Sequence, residues 1–227
     1  MVTAIVNSVR TRARAQRARV FLEHFEIRKS SRILDLGSEN GAHIASVLAD
    51  TPVSPEHVHI ADIDESAVAE GQRRFGFTPV HIPESGRLPF DDGYFDIVYC
   101  SSVIEHVTVP KSEIWTLRDG AEFKRRAWAR QQDFAREIAR LGKGYFVQTP
   151  CKSFPFESHS WLPFVAYVPR PALIPLLSAS NRVWIKKTTP DWHLLSESEM
   201  RRLFPDATIV KERLGGFTKS LMAIRTA

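Results

Sequence analysis

The chain has 227 residues, 43% of them hydrophobic and 25% charged, with 31 basic against 26 acidic side chains for a formal net charge of +5. This length and apolar share suffice for one domain with a sizeable core. No apolar run approaches the roughly 20 residues of a membrane span, residues 1–19 lack the apolar stretch of a signal peptide, and two distant cysteines, Cys100 and Cys151, exclude a disulfide framework, so a cytoplasmic protein with no transmembrane segment is expected. The positive excess is compatible with an anionic partner and does not define one.

Val6, Val9, Ala13, Gln16 and Val20 recur at helical spacing and predict an N-terminal helical segment within residues 1–30. A short apolar run then ends in Asp35, turns through Gly37, and restarts at Gly41 as a helical pattern over 42–49. Glycine lets the backbone turn sharply and lets a ligand approach without a Cβ in the way. Residues 57–61 read as a second strand ending at Asp62, 65–75 as a helix, and 78–82 and 94–100 as two further strands. Phe123, Ala127, Gln131, Phe134, Ile138 and Leu141 mark one face of a long helix. Gly142 to Gly144 ends it, and 145–148 form a fifth strand. Alternating strands and helices imply a Rossmann-like, mostly parallel α/β sheet with helices on both faces.

The pattern changes after Thr149. Residues 150–192 are rich in proline and aromatics and read as an insertion over the end of the sheet. Ser196 caps a helix over 197–204, with Glu199 placed for a capping box. Residues 208–213 and 218–224, joined through Gly215-Gly216, complete seven strands with a C-terminal antiparallel hairpin. The whole chain, 1–227, is expected to be a single domain, with 1–30 its N-terminal helical segment and 150–192 a lid over the acceptor site.

Four segments in this order carry a family resemblance: Ile33-Leu-Asp-Leu-Gly-Ser-Glu-Asn-Gly41, Ala61-Asp-Ile-Asp-Glu-Ser-Ala67, Leu88-Pro-Phe-Asp-Asp-Gly-Tyr-Phe-Asp-Ile-Val-Tyr-Cys100 and Val103-Ile-Glu-His-Val107. The chain resembles the class I S-adenosylmethionine-dependent methyltransferases, and the stretch 149–164 resembles one found in a bacterial subset of them. The resemblance implies S-adenosyl-L-methionine as cofactor. Asp35, Gly37, Ser38, Glu39 and Gly41 would hold its amino-acid end, where a helix N-terminus suits a carboxylate. Asp62 would accept hydrogen bonds from the ribose hydroxyls, Ile63 would pack on the adenine, Glu84 and Ser85 would meet the adenine edge, and Ser101 would lie near the methionine portion. Glu39 departs from the family, many members of which have glycine there.

A sulfonium-bound methyl is already activated, so the protein has to align a nucleophile and exclude water. An oxygen nucleophile also needs its proton removed, by a histidine or carboxylate. His159 and Glu157 in the insertion, and His106 after the fourth strand, are the candidate catalytic residues, with His193 a weaker one; Glu105-His106 reads equally well as a buried structural pair. No Cys/His cluster has zinc spacing, so no metal is expected.

The acceptor is expected to be a small molecule or a glycan- or lipid-linked group. The Asn/Asp-Pro-Pro-aromatic motif of amino-methylating nucleic-acid enzymes is absent, Cys100-Ser-Ser-Val standing in its place. Arg10, Arg12, Arg14, Arg17 and Arg19 fall on two opposite sides of a helix, so no specific nucleic-acid binding is expected. The alternatives are a nucleic-acid or protein methyltransferase, or a non-catalytic fold relative serving as a scaffold.

Overall fold

The computed structural model describes residues 2–227, with side chains from Thr11 onward. Seven strands form one sheet in the order β3-β2-β1-β4-β5-β7-β6: β1 (Ile33–Leu36), β2 (Val58–Asp62), β3 (Thr78–His81), β4 (Phe95–Ser101), β5 (Gly142–Pro150), β6 (Thr208–Leu214) and β7 (Phe217–Arg225). β1 pairs in parallel with β2 and β4, β2 pairs in parallel with β3, and β6 and β7 are antiparallel. This is the Rossmann-like mixed sheet anticipated from the alternating pattern. The chain divides into two compact units, one of Met1–Tyr99, Leu141–Phe146 and Thr226–Ala227, the other of Cys100–Arg140 and Val147–Arg225. No described helix is long and apolar enough to cross a membrane.

In the first unit, α1 (Val2–His24) confirms the N-terminal helix, although the side chains of Val6, Val9 and Arg10 lie outside the described residues. Phe21 is fully buried against Tyr99 and Phe146, whose rings stack 5.3 Å apart. β1 is buried along its whole length, as expected of a central parallel strand. α2 (Ala42–Leu48) follows the glycine turn. α3 (Glu65–Phe75) is capped by Asp64, whose carboxylate accepts the N–H groups of Ser66 and Ala67, and it ends at Gly76 in the left-handed region. Asp64 therefore caps this helix, and Asp62 is left to face the turn.

In the second unit, α4 (Gly120–Leu141) buries Phe123, Ala127, Gln131 and Ile138 along the predicted face. The fifth strand starts at Gly142 and not at Tyr145, because a Cβ at Gly142 would fall 2.5 Å from the carbonyl oxygen of Gly144, and glycine alone lets the chain leave the helix directly into the sheet. The insertion is not all irregular. It contains α5 (Arg170–Val183), which Pro171 opens in the first turn, where a missing N–H costs nothing. Pro175 lies inside this helix, and Leu173 and Leu177 hold it by packing with Val165, Trp192 and Leu194. α6 (Glu197–Leu203) carries the expected capping box from Ser196 and Glu199, one residue shorter than predicted.

Candidate functional site

The glycine turn after β1 is built from left-handed residues: Gly37 at φ 79°, Glu39 at φ 50° and Gly41 at φ 71°. The N–H groups of Gly37 and Ser38 both donate to the carbonyl of Ala61, at 2.8 and 3.1 Å. The N–H of Glu39 donates to Oδ2 of Asp62 at 2.8 Å, and that of Asp64 to Oδ1 at 3.1 Å. On α3, a Cβ at Gly71 would lie 2.7 Å from the carbonyl oxygen of Asn40, so only glycine lets the helix pack directly on the turn. The predicted cofactor residues Asp35, Gly37, Ser38, Glu39, Gly41 and Asp62 thus share the ends of β1 and β2.

The electrostatics of this turn are those of a cation acceptor. Asp35 is buried, and burial, reinforced by the negative charge of Asp62, pushes its carboxyl up to about 8. A ligand bearing an ammonium group would relieve both effects, because an opposite charge favours the ionised carboxylate. Ile63, the next residue after Asp62, is exposed and offers an apolar surface beside the acids. Glu84 and Ser85 are exposed in the turn after β3, which the bond from the Ile82 N–H to the Asp62 carbonyl draws to the same strand ends.

Ser101 belongs to the second unit, where its hydroxyl and that of Ser102 both donate to the Oε1 of the buried Gln148, at 2.8 and 3.1 Å. Beside it lies a second cluster, drawn from three distant parts of the chain. Glu105, fully buried in a one-turn helix over Ile104–His106, accepts the Thr149 hydroxyl on Oε2 at 3.0 Å. A tight hairpin, closed by the bridge between Phe156 and Pro163, presents Glu157 and His159. Glu157 accepts the N–H groups of His159 and Ser160, both at 2.6 Å, and pairs with Nδ1 of His159 at 2.5 Å. Nε2 of His159 faces Glu105 Oε1 at 3.7 Å.

His106 meets His159 edge to face, ring centroids 4.5 Å apart, and its Nδ1 pairs with Asp191 Oδ2 at 3.1 Å. Trp192 stacks near His159. An open cleft of about 410 Å³ is lined by His106, His159, Asp191, Asn181 and residues 186–189.

The charge state of His159 is set by its neighbours. Burial alone would lower His159, but the carboxylates of Glu105 and Glu157 outweigh it and raise it to about 9, so at neutral pH it is an imidazolium. Glu157 is held below its ordinary value, burial being outweighed by His159 and the Ser160 N–H. His193 plays a structural part: its Nδ1 bonds Gln131 Oε1 at 2.9 Å, and its N–H bonds the Glu105 carbonyl at 2.8 Å. No sequence pattern points to Asp191 as a partner of His106, since the two are 85 residues apart.

Residues 33–117 match the family described as "Methyltransferase domain". No curated protein matches the chain in sequence. Among solved structures, the chain is similar to the PH0226 protein of Pyrococcus horikoshii OT3 (TM-score 0.56, 13% identity, 94% of this chain and 89% of that one). It is also similar to magnesium protoporphyrin IX methyltransferase of Synechocystis PCC 6803, solved with bound SAH (0.53, 16%, 98% and 87%). A third is the complex of the Haloferax volcanii Trm112 methyltransferase activator with a methyltransferase (0.52, 12%, 92% and 87%). The matched segment is 85 of the 227 residues, and the likeness to these solved structures is one of fold.

Proposed function

We propose that this protein is an S-adenosylmethionine-dependent methyltransferase acting on a small molecule or a glycan- or lipid-linked acceptor. The observation that carries the proposal is the buried Asp35, with the partly buried Asp62 close enough to raise it, beside the glycine turn and inside the segment that matches the methyltransferase domain. The cofactor supplies a methyl group on a positively charged sulfur. Asp35 and the turn 37–41 would hold its amino-acid end, Asp62 the ribose, and Ile63, Glu84 and Ser85 the adenine.

In the second unit, His106 takes the acceptor's proton. Asp191 bonds its Nδ1 and leaves Nε2 as the nitrogen to receive it. His159, already protonated, is a hydrogen-bond donor to the acceptor, and Glu157 fixes its ring. Lys186 and Lys187 line the same cleft and fit an acceptor carrying negative charge. Crystals grown with S-adenosylhomocysteine test the assignment. The product is expected on the turn 37–41 with its ribose on Asp62; failure to bind, or density elsewhere, overturns it.

A further inference from the structure

Glu105, His106 and His159 each present one donor atom, and the three atoms lie within 4.8 Å of one another. We propose that these three side chains bind one divalent first-row transition-metal ion, of the Fe²⁺, Co²⁺ or Zn²⁺ class. The site lies within the second unit and stands whether or not the methyl-transfer proposal holds.

Two imidazoles and one carboxylate with open positions are a recognised ligand set for such ions. Here the surrounding shell is already in place. Nδ1 of His159 is held by Glu157 at 2.5 Å and Nδ1 of His106 by Asp191 at 3.1 Å. A carboxylate on one ring nitrogen fixes the ring and raises the basicity of the other, the usual support of a metal-bound histidine. On Glu105, Oε2 accepts the Thr149 hydroxyl, whereas Oε1 is buried and has no hydrogen-bond partner. A buried acceptor left without a partner is costly and rare.

The competing account is a plain ion pair between His159 and Glu105. At 3.7 Å their separation is too long for a hydrogen bond, so such a pair leaves Oε1 unsatisfied. An ion about 2.0–2.2 Å from each donor sets the donors roughly 3–3.5 Å apart. The cluster then has to close by up to about 1.3–1.8 Å at its widest, which the partly exposed His106 ring can supply. His106 and His159 line an open cleft, which gives the ion a path in and leaves positions for water or a ligand. A bound ion displaces the proton on Nε2 of His159 into solvent and occupies the nitrogen of His106 assigned above to proton transfer, so metal binding and both of the roles given above exclude each other on one molecule.

The full chain, stripped with a chelator and kept free of cofactor and acceptor, is titrated with Co²⁺, followed by its visible absorption, and with Zn²⁺ by calorimetry. One equivalent per chain is expected, with ligand-field bands of a nitrogen- and oxygen-bound Co²⁺. Glu105→Gln and His106→Gln should each weaken binding by about 100-fold or more, beyond the 10–100-fold typical of outer-shell changes. If Glu105→Gln does not fold, the half-exposed His106→Gln decides alone. Absence of saturable binding up to millimolar Co²⁺ in the wild type, or undiminished binding in a folded His106→Gln, overturns the site. Neither result depends on whether S-adenosylhomocysteine binds.

Discussion

The backbone N–H of Glu39 is bonded to Oδ2 of Asp62, fastening the turn after β1 to the end of β2. Beside this bond, the proposed function gives Asp62 a duty toward the cofactor. Each oxygen accepts one backbone N–H, and the second acceptor position on each is available to a ligand hydroxyl. Asp62→Ala is expected to weaken S-adenosylmethionine binding by roughly 1.5–3 kcal/mol, the range for hydrogen bonds to a charged group. Calorimetry on the folded variant measures this; unchanged affinity removes Asp62 from the site.

Glu39 holds φ 50°, a left-handed conformation that costs a side-chain-bearing residue about 1–2 kcal/mol. Its neighbours Gly37 and Gly41 adopt the same region without that cost. Glu39→Gly relieves the strain, and the greater freedom of glycine in the unfolded chain offsets part of the gain. A net stabilisation of up to about 1 kcal/mol is expected in denaturant unfolding. A lower midpoint for the variant would show that the Glu39 side chain contributes contacts that outweigh its backbone strain.

Two groups make stability fall as pH rises, in different windows. His159 is raised from 6.5 to about 9, so its contribution is complete below pH 6.5 and is lost as pH climbs through 9. At 1.36 kcal/mol per unit this amounts to roughly 3–4 kcal/mol. Asp35 is raised from 3.8 to about 8, so folding resists its ionisation and stability declines from pH 4 to 8. Thermal unfolding across pH 4–10 should show the alkaline loss flattened in His159→Gln and the earlier loss flattened in Asp35→Asn. A slope unchanged in either variant would reassign that group.

Asp35 also predicts how the cofactor responds to pH. If an ammonium group settles beside it, the carboxyl ionises on binding and a proton is released. Affinity for S-adenosylhomocysteine is then expected to strengthen as pH rises toward 8, with heats that vary with the ionisation enthalpy of the buffer. Heats independent of buffer would place the ammonium elsewhere.

Turnover separates the two histidines. His106→Gln should lower it by about 100-fold or more, the scale of a lost general base, with cofactor affinity kept. His159→Ala should lower turnover per folded molecule less, and lower the melting temperature as well, because it strands two buried carboxylates. Equal turnover in wild type and His106→Gln would show that another group takes the proton.

Arg170 is a structural keystone of the second unit. Its guanidinium donates to the carbonyls of Leu117, Pro190 and Ile114 at 2.7, 2.8 and 2.6 Å and lies 3.6 Å from the centroid of the Phe123 ring. Lysine cannot reproduce a three-way planar fork. Arg170→Lys is expected to cost about 2–3 kcal/mol by leaving buried carbonyls unpaired, measured as a fall in denaturant midpoint.

The sequence by itself determined what depends on neighbours along the chain. Buried β1, the glycine turn 37–41, the cap of α6 and the hairpin through Gly215-Gly216 are each written in a few consecutive residues, because backbone angles and capping bonds are local. The same locality hid α5. Pro171 and Pro175 look like helix breakers in sequence, and only packing with Val165, Trp192 and Leu194 pays for the bond that Pro175 cannot make. Tertiary structure alone decided the charge state of His159, by bringing Glu105 within 3.7 Å across 54 positions, and the pairing of His106 with Asp191 across 85. No periodicity or spacing encodes these meetings, since a side chain's charge is set by what surrounds it in space, and the chain brings those groups together only when it folds.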